Sequence, residues 1–442
     1  MDDLLAARAQ MAVSLGFHIL FAIAGMAMPV LMALAQWRHL RTGDEAWREL
    51  ARRWAKGTAI LFAVGAVSGT VLSFELGLLW PEFMRHAGPL IGMPFSLEGI
   101  AFFLEAIFLG LFLYGEKRMP QRTHLACGIA VAISGTASAV FVTAVNSWMN
   151  EPVGFDIVDG QAVNIDPWAA LRSGAFANQA THVVLGAYAA VAFVAMGIHA
   201  VALRRAPGDR MHQHAFALAL GMAIVSTPLQ ILSGDLSAKH IAEHQPLKLA
   251  AAEGLFVTTT EAPIAIGGWP NAETRTLEGA IEVPYLLSVL ATGDPHGEVI
   301  GLDSAPPELW PPLGIVHVAF QIMVAAGTAM LLLVAWGGWI WWRSRGGVAS
   351  RPPPWSHPRL LRAAVLASPL GIVAIEAGWT VTEVGRQPWI VRGFLTTAES
   401  VTPMPNVQVT FFAFTALFAV LGVVVVVLLR NLVRSSLPRG RR

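Results

Sequence analysis

Apolar residues in this sequence come in long unbroken runs, not in the short amphipathic stripes of a water-soluble fold. Nine runs of bilayer-crossing length lie near residues 11–36, 54–80, 95–115, 124–148, 178–203, 213–233, 310–342, 360–384 and 407–430. A hydrocarbon core about 30 Å thick takes roughly 20 helical residues, and a helix satisfies its own backbone there. The pattern therefore predicts an all-α, polytopic membrane protein with about nine transmembrane helices. The first run follows Met1-Asp2-Asp3. It is too long, and lacks the basic flank, for a cleaved signal peptide, so it reads as a retained first helix. Three regions follow: 1–233 with helices one to six, a long polar segment at 234–308, and 309–442 with helices seven to nine. No internal repeat is visible, so the inverted-repeat signature of many secondary transporters is absent.

Composition agrees and orients the helices. Of 442 residues, 55% are hydrophobic and only 13% charged, about half the charge of soluble domains. A net charge of +1 argues against a nucleic-acid partner. The single cysteine, Cys127, excludes an internal disulfide framework and a Cys-rich metal site. Of the 30 basic residues, 22 fall on one side: Arg38 to Lys56, Lys117 to Arg122, Arg204 to Arg210, Arg343 to Arg362 and Arg430 to Arg442. Cytoplasmic loops carry the Lys and Arg excess. The N-terminus is thus expected outside, the C-terminus in the cytoplasm and the 234–308 segment outside.

Ionisable residues inside spans are costly and mark sites. They are His18 on the first helix, Glu75 on the second, Glu98 and Glu105 on the third, His182 on the fifth, and Glu376 and Glu383 on the eighth; the softer Met323 is on the seventh. Most fall in the outer half of the bilayer. His18 is expected about 7 residues, roughly 10 Å, inside its helix. Glu98 and Glu105 are two turns apart on one face, Glu105 the deeper. Polar groups converging from several helices suit a buried cofactor. Haem iron takes His and Met axial ligands, and a His/Met pair makes a low-spin centre. His182 and Met323 are candidates for such a pair. His18 and Glu383 are candidates for centres that keep an open iron position. The bland readings are a histidine bonded to a neighbouring helix, a core-filling methionine and a hydrogen-bonded carboxyl pair. For His39, His124, His199, His212 and His214, near helix ends, interfacial placement suffices.

At these residues the sequence resembles subunit I of the cytochrome bd quinol oxidases. Gly16-Phe17-His18, Glu98-Gly-Ile-Ala-Phe-Phe-Leu-Glu105, and Asn146-Ser-Trp-Met149 followed by Pro152-Val-Gly carry the likeness. So do Gln245-Pro-Leu-Lys248-Leu-Ala-Ala-Ala-Glu253 and Glu383-Val-Gly-Arg386-Gln-Pro-Trp389, the two most specific stretches. The resemblance implies that His182 and Met323 hold a low-spin haem b. It implies that His18 and Glu383 hold the two high-spin haems, a haem b and a haem d (or a further haem b in its place). Which ligand serves which haem stays open. Glu98 and Glu105 would deliver protons, Lys248 and Glu253 would meet the quinol, and Arg386 would balance haem propionates or Glu383.

The implied enzyme is a quinol:oxygen oxidoreductase of the bacterial inner membrane. It would oxidise ubiquinol or menaquinol outside and reduce O2 with cytoplasmic protons, charging the membrane by vectorial chemistry. A second large subunit is the implied partner, with room for small accessory membrane subunits. Two features depart from many members. Gln321 stands where an Arg often precedes the Met ligand by two residues, which should lower the low-spin haem's potential or alter its propionate contacts. Only 70 residues separate Glu253 from Met323, as in the short-loop branch that includes cyanide-insensitive members. The alternatives are a haem-b quinone-dependent reductase, which leaves His18, Glu98, Glu105 and Glu383 without roles, and a cofactor-free transporter.

Overall fold

The computed structural model describes residues 1–158, 161–345 and 352–436. Among the basic residues counted above, Arg351, Arg439, Arg441 and Arg442 lie outside the described residues, as does the side chain of Arg345. The predicted all-helical membrane architecture is what forms. Among the described residues, nine helices are long and apolar enough to cross a bilayer, with mean hydropathies of 1.7 to 3.0.

The long helices are α1 (Asp3–Thr42), α2 (Glu45–Leu79), α3 (Pro81–Gly115), α4 (Gln121–Asn150), α5 (Phe176–Arg205) and α6 (Arg210–His244). The short α7 (Pro246–Glu253) and α8 (Leu286–Thr292) belong to the long connection before α9 (Leu313–Arg345). The eighth span is broken into α10 (Pro358–Ala367) and α11 (Leu370–Val384), because Pro369 supplies no amide hydrogen and cannot continue the ladder. A single turn, α12 (Thr397–Ser400), precedes α13 (Val407–Ser436).

Helix ends overrun the hydropathy boundaries because capping, not lipid thickness, stops them. The α1 helix begins where the Asp2 carboxylate accepts from Leu5 N–H at 2.7 Å, and it ends at Gly43, whose φ of 69° closes the last turn. The α6 helix runs to His244, roughly three turns past the expected end at 233. What remains of the connection holds α7, α8 and two short antiparallel pairs, Ile264–Ile266 with Ile281–Val283 and Trp269–Asn271 with Thr276–Glu278.

The helix core forms around α1 and α5, which are the most deeply buried spans. Small residues let helices approach. A Cβ on Gly135 of α4 would lie 2.8 Å from the Gly25 carbonyl oxygen of α1, so only glycine permits that crossing. By contrast α13 shows Val409, Phe412, Val420, Val423 and Val426 on its surface, each more than 60% exposed, as a helix facing lipid or another subunit would. The starts of α1, α3, α5, α9 and α13 and the ends of α2, α4, α6 and α11 share the end of the bundle that carries the long connection. Bonds between distant segments tie that end together. Asp3 accepts from Val407 N–H at 2.9 Å, and Arg392 N–H donates to the Met149 carbonyl at 3.0 Å.

Candidate functional site

The two intramembrane histidines are held by the same device. His18 Nδ1 lies 3.0 Å from Ser68 Oγ, and Ser68 donates its own hydrogen to the Gly65 carbonyl at 3.1 Å. The serine hydrogen is spent, so the histidine must carry its proton on Nδ1 and donate. That leaves Nε2 with a free lone pair, as ligation requires. His182 repeats this on α5: Nδ1 lies 2.9 Å from Ser233 Oγ, which donates to the Gln230 carbonyl at 2.9 Å. Unlike His18, its Nε2 accepts from the Gln230 side-chain amide at 3.0 Å, a bond that ligation would displace.

The His18 helix starts at Asp3 and not near residue 11, so His18 sits roughly 22 Å along it, deeper than expected. His182 lies about two turns into α5, and Glu383 is in the last turn of α11. Met323 is on α9, which packs on α6 and α11, the same helices that flank the His182 helix.

Glycines stand beside these donors. A Cβ on Gly69 would come within 3.0 Å of the His18 ring, one on Gly378 within 3.1 Å of Met323 Sδ, and one on Gly234 within 3.5 Å of the His182 ring. Bare backbone at three soft or nitrogen donors leaves space for a flat macrocycle. Arg386 adds a second sign. It is buried, its Nη2 donates to Glu383 at 2.6 Å, and its Nε and Nη1 hydrogens have no partner. Buried guanidinium N–H groups without acceptors are costly, and haem propionates would satisfy them. The donor set, the space and the unpaired arginine therefore fit haem.

The two most specific sequence stretches meet at one network. Lys248 Nζ donates to Asn150 Oδ1 at 2.5 Å, and Asn150 Nδ2 donates to the Asn146 carbonyl at 2.9 Å. The Asn146 amide donates to Glu383, whose other oxygen takes the Arg386 bond. The Lys248 stem packs on Gly385, where a Cβ would come within 3.0 Å of its Cγ. Burial, followed by the Arg386 charge, lowers the Lys248 ammonium to about 7. At the far end of α7, Glu253 is buried with Oε2 unpartnered, and burial raises its carboxyl to about 8.

Glu98 and Glu105 form a separate group on α3. Ser138 of α4 donates to Glu98 at 3.1 Å. Glu105 is nearly fully buried between Gly25 of α1 and Gly135 of α4, and its Oε1 has no partner.

Ser68, Ser233, Asn150 and His317 escaped sequence reasoning, whereas Gln321, Glu376 and Glu75 did not. Ser68, Ser233 and Asn150 carry no signal in a single sequence, since their meaning lies in what they touch. Gln321 is a loop clamp: its amide donates to the Ala265 carbonyl at 2.9 Å and accepts from Gly267 N–H at 3.0 Å. His317, fully buried on α9, contacts the carbonyls of Ala252 and Gly267 at 2.8 and 3.1 Å. Glu376 lines an apolar groove of about 800 Å³ between α9 and α11, with loop Trp269 at its edge. Its Oε1 is buried without a partner. Glu75 accepts from Gln10 at 2.8 Å, and Gln10 accepts from Thr410 at 2.8 Å. The helix-end histidines have structural partners: His124 on the Phe112 carbonyl, His214 on Asp44, and His199 against His212 and Trp54.

Comparison with known proteins identifies the family. The sequence profile described as cytochrome bd terminal oxidase subunit I matches residues 6–437. A Bacillus subtilis protein provisionally named cytochrome bd menaquinol oxidase subunit I is 36% identical, over 97% of this chain and 96% of its own length. Another from the same organism, named cytochrome bd ubiquinol oxidase subunit 1, is 32% identical over 97% of this chain and 93% of its own. The solved bd oxidase structure from Geobacillus thermodenitrificans superposes with a TM-score of 0.91 at 39% identity, covering 98% of this chain and 99% of that one. With matches of this extent to sequence and to structure, the chain belongs to the cytochrome bd terminal oxidase subunit I family.

Proposed function

We propose that this chain is the haem-carrying, quinol-oxidising subunit of its oxidase, with quinol meeting α7 at the loop end of the bundle and that end facing outward. The family makes it a quinol:oxygen oxidoreductase of the bacterial cytoplasmic membrane. The observation that carries the finer reading is the network from Lys248 through Asn150 and Asn146 to Glu383 and Arg386. It joins the segment that would bind quinol to the carboxylate that would ligate iron.

In this reading His182 and Met323 hold a low-spin haem b, while His18 and Glu383 hold the two high-spin haems. The haems supply the electron transfer and the oxygen chemistry. The protein does the rest. Glu253, as a carboxylate, takes a quinol proton within hydrogen-bond reach. Lys248, fixed by Asn150, orients the quinol oxygen. The open groove beside Trp269 and Glu376 accommodates an apolar tail. Glu105 and then Glu98 pass cytoplasmic protons outward along α3, with Ser138 holding Glu98. Each charge carried against 100 mV stores about 2.3 kcal/mol. A second large subunit completes the oxidase, and the exposed apolar face of α13 is available to lipid or to a partner. A transporter would leave both His–Ser devices without use, and a haem-b quinone-dependent reductase would leave the His18–Ser68 device, Glu98, Glu105 and Glu383 without use.

The test is a dithionite-reduced minus air-oxidised visible spectrum of the purified complex, with haem extraction. Haem b bands with a red-region chlorin band are the expected result. Haem b bands alone would replace haem d by haem b at the oxygen site. A colourless intact complex would refute the haem reading.

A further inference from the structure

Outside the haem and quinol groups, one cluster has the makings of a metal site. His240 and His244 are four residues apart on the last turn of α6, and Glu151 caps the end of α4 opposite them. One ligand atom from each lies within 4.8 Å of the others. His240 Nε2 is 2.6 Å from Glu151 Oε1, and the two imidazoles stack with centroids 4.2 Å apart. His244 Nδ1 faces the His240 carbonyl at 3.1 Å, which leaves Nε2 to turn toward a metal.

Two further features suit a ligand. A Cβ on Gly174 would sit 3.0 Å from Glu151 Oε2, so the missing side chain keeps the carboxylate accessible. Gln245 donates to Glu151 at 3.3 Å, while its own Oε1 is buried without a partner. The His244 side chain is 43% exposed, and the exposed Glu243 carboxylate, 4.0 Å from its ring, offers a fourth donor.

We propose that Glu151, His240 and His244 form a binding site for a divalent transition metal of zinc type, and that its occupation slows quinol oxidation. Two histidines one helical turn apart with a carboxylate from a second element are a donor set that zinc favours, with bonds of about 2.0–2.2 Å. Closing the present separations brings His244 and Glu151 toward each other. The route to the reaction is short. Glu151 follows Asn150, which holds Lys248, and Gln245 is the residue from which α7 starts. Drawing Glu151 toward His244 shifts the start of α7 against the end of α4.

The whole oxidase complex, stripped with a chelator, would be titrated with Zn2+ against a chromophoric zinc indicator, with quinol oxidase turnover followed in parallel. His244→Ala is the main variant because its ring is half exposed and its loss leaves the fold intact. Glu151→Gln is the second. The wild type is expected to bind one zinc that both variants lose or bind at least tenfold more weakly, with inhibition shifting in step. His296→Ala, at the exposed His296–Glu261 pair, should change neither. Equal zinc binding by the wild type and His244→Ala would overturn the site. Zinc bound at full occupancy without slowing turnover would overturn the regulatory half.

Discussion

Replacing Glu253 by Gln isolates the proton step at the quinol. Glu253 ends α7, where Gly254 turns the chain with φ 70°, and the residue is only 5% exposed among Ala250, Ala251, Phe256 and Val316. Burial raises its carboxyl from 4.5 to about 8. A base must be ionised to act, so kcat/KM for quinol should climb roughly tenfold per pH unit below about 8 and level off above it. Glutamine keeps the shape and removes the base. It should flatten the limb and cut kcat/KM by about 10²- to 10⁴-fold, the usual worth of a positioned base, while the haem spectrum stays unchanged. The shift also has a stability sign. A folded-state value raised above the unfolded one gives stability that is full below pH about 4.5 and lost as pH rises toward 8. The loss is on the order of 5 kcal/mol at most. The glutamine variant escapes it and should gain thermal stability relative to the parent in alkaline buffer. A variant that keeps the pH limb and more than a tenth of the activity would refute Glu253 as the base.

Three further outcomes follow from the same geometry. Lys248→Met removes an ammonium charged below about 7 and uncharged above it, so the wild-type pH profile should show a break near pH 7 that the variant lacks, while the variant keeps the limb set by Glu253. Its kcat/KM should fall about ten- to hundredfold, as for a lost charged hydrogen bond, with kcat moving less. Gln321→Arg exchanges two loop hydrogen bonds for a cation two residues from Met323. Redox titration should show the low-spin haem potential raised by on the order of 50 mV, and an unmoved potential would mean that Gln321 is a loop clamp only. Ser233→Ala frees the His182 ring from its imposed tautomer. Low-spin haem should be held roughly 10- to 100-fold more weakly, read as lost α-band absorbance per complex.

The nine spans were legible because hydrocarbon thickness imposes a run of apolar residues that no tertiary contact can replace. The same reasoning missed the ends. Whether α6 stops at 233 or continues to His244 depends on caps and on what surrounds the last turns, and hydropathy records neither. The candidate site residues came from chemistry and resemblance, since an intramembrane His, Glu or Arg stands out against Leu and Val. Ser68 and Ser233 did not stand out, because a serine in a span usually bonds back to its own helix. Only the facing histidine makes these two orienting groups. Gln321 was read as an absent charge; in the fold it bonds Ala265 and Gly267, more than 50 residues earlier in the chain.

What the sequence by itself determined is therefore one-dimensional: how often the chain crosses the membrane, where its costly side chains sit along each crossing, and which donors it can offer a metal. What only tertiary structure decided is which of those groups meet. Lys248, Asn150, Asn146 and Glu383 come from α7, α4 and α11, and Glu151 finds His240 across the gap between α4 and α6. Such pairings depend on helix rotation and on glycine-permitted close approach. Both are set by packing between helices, so neither can be read along any one of them.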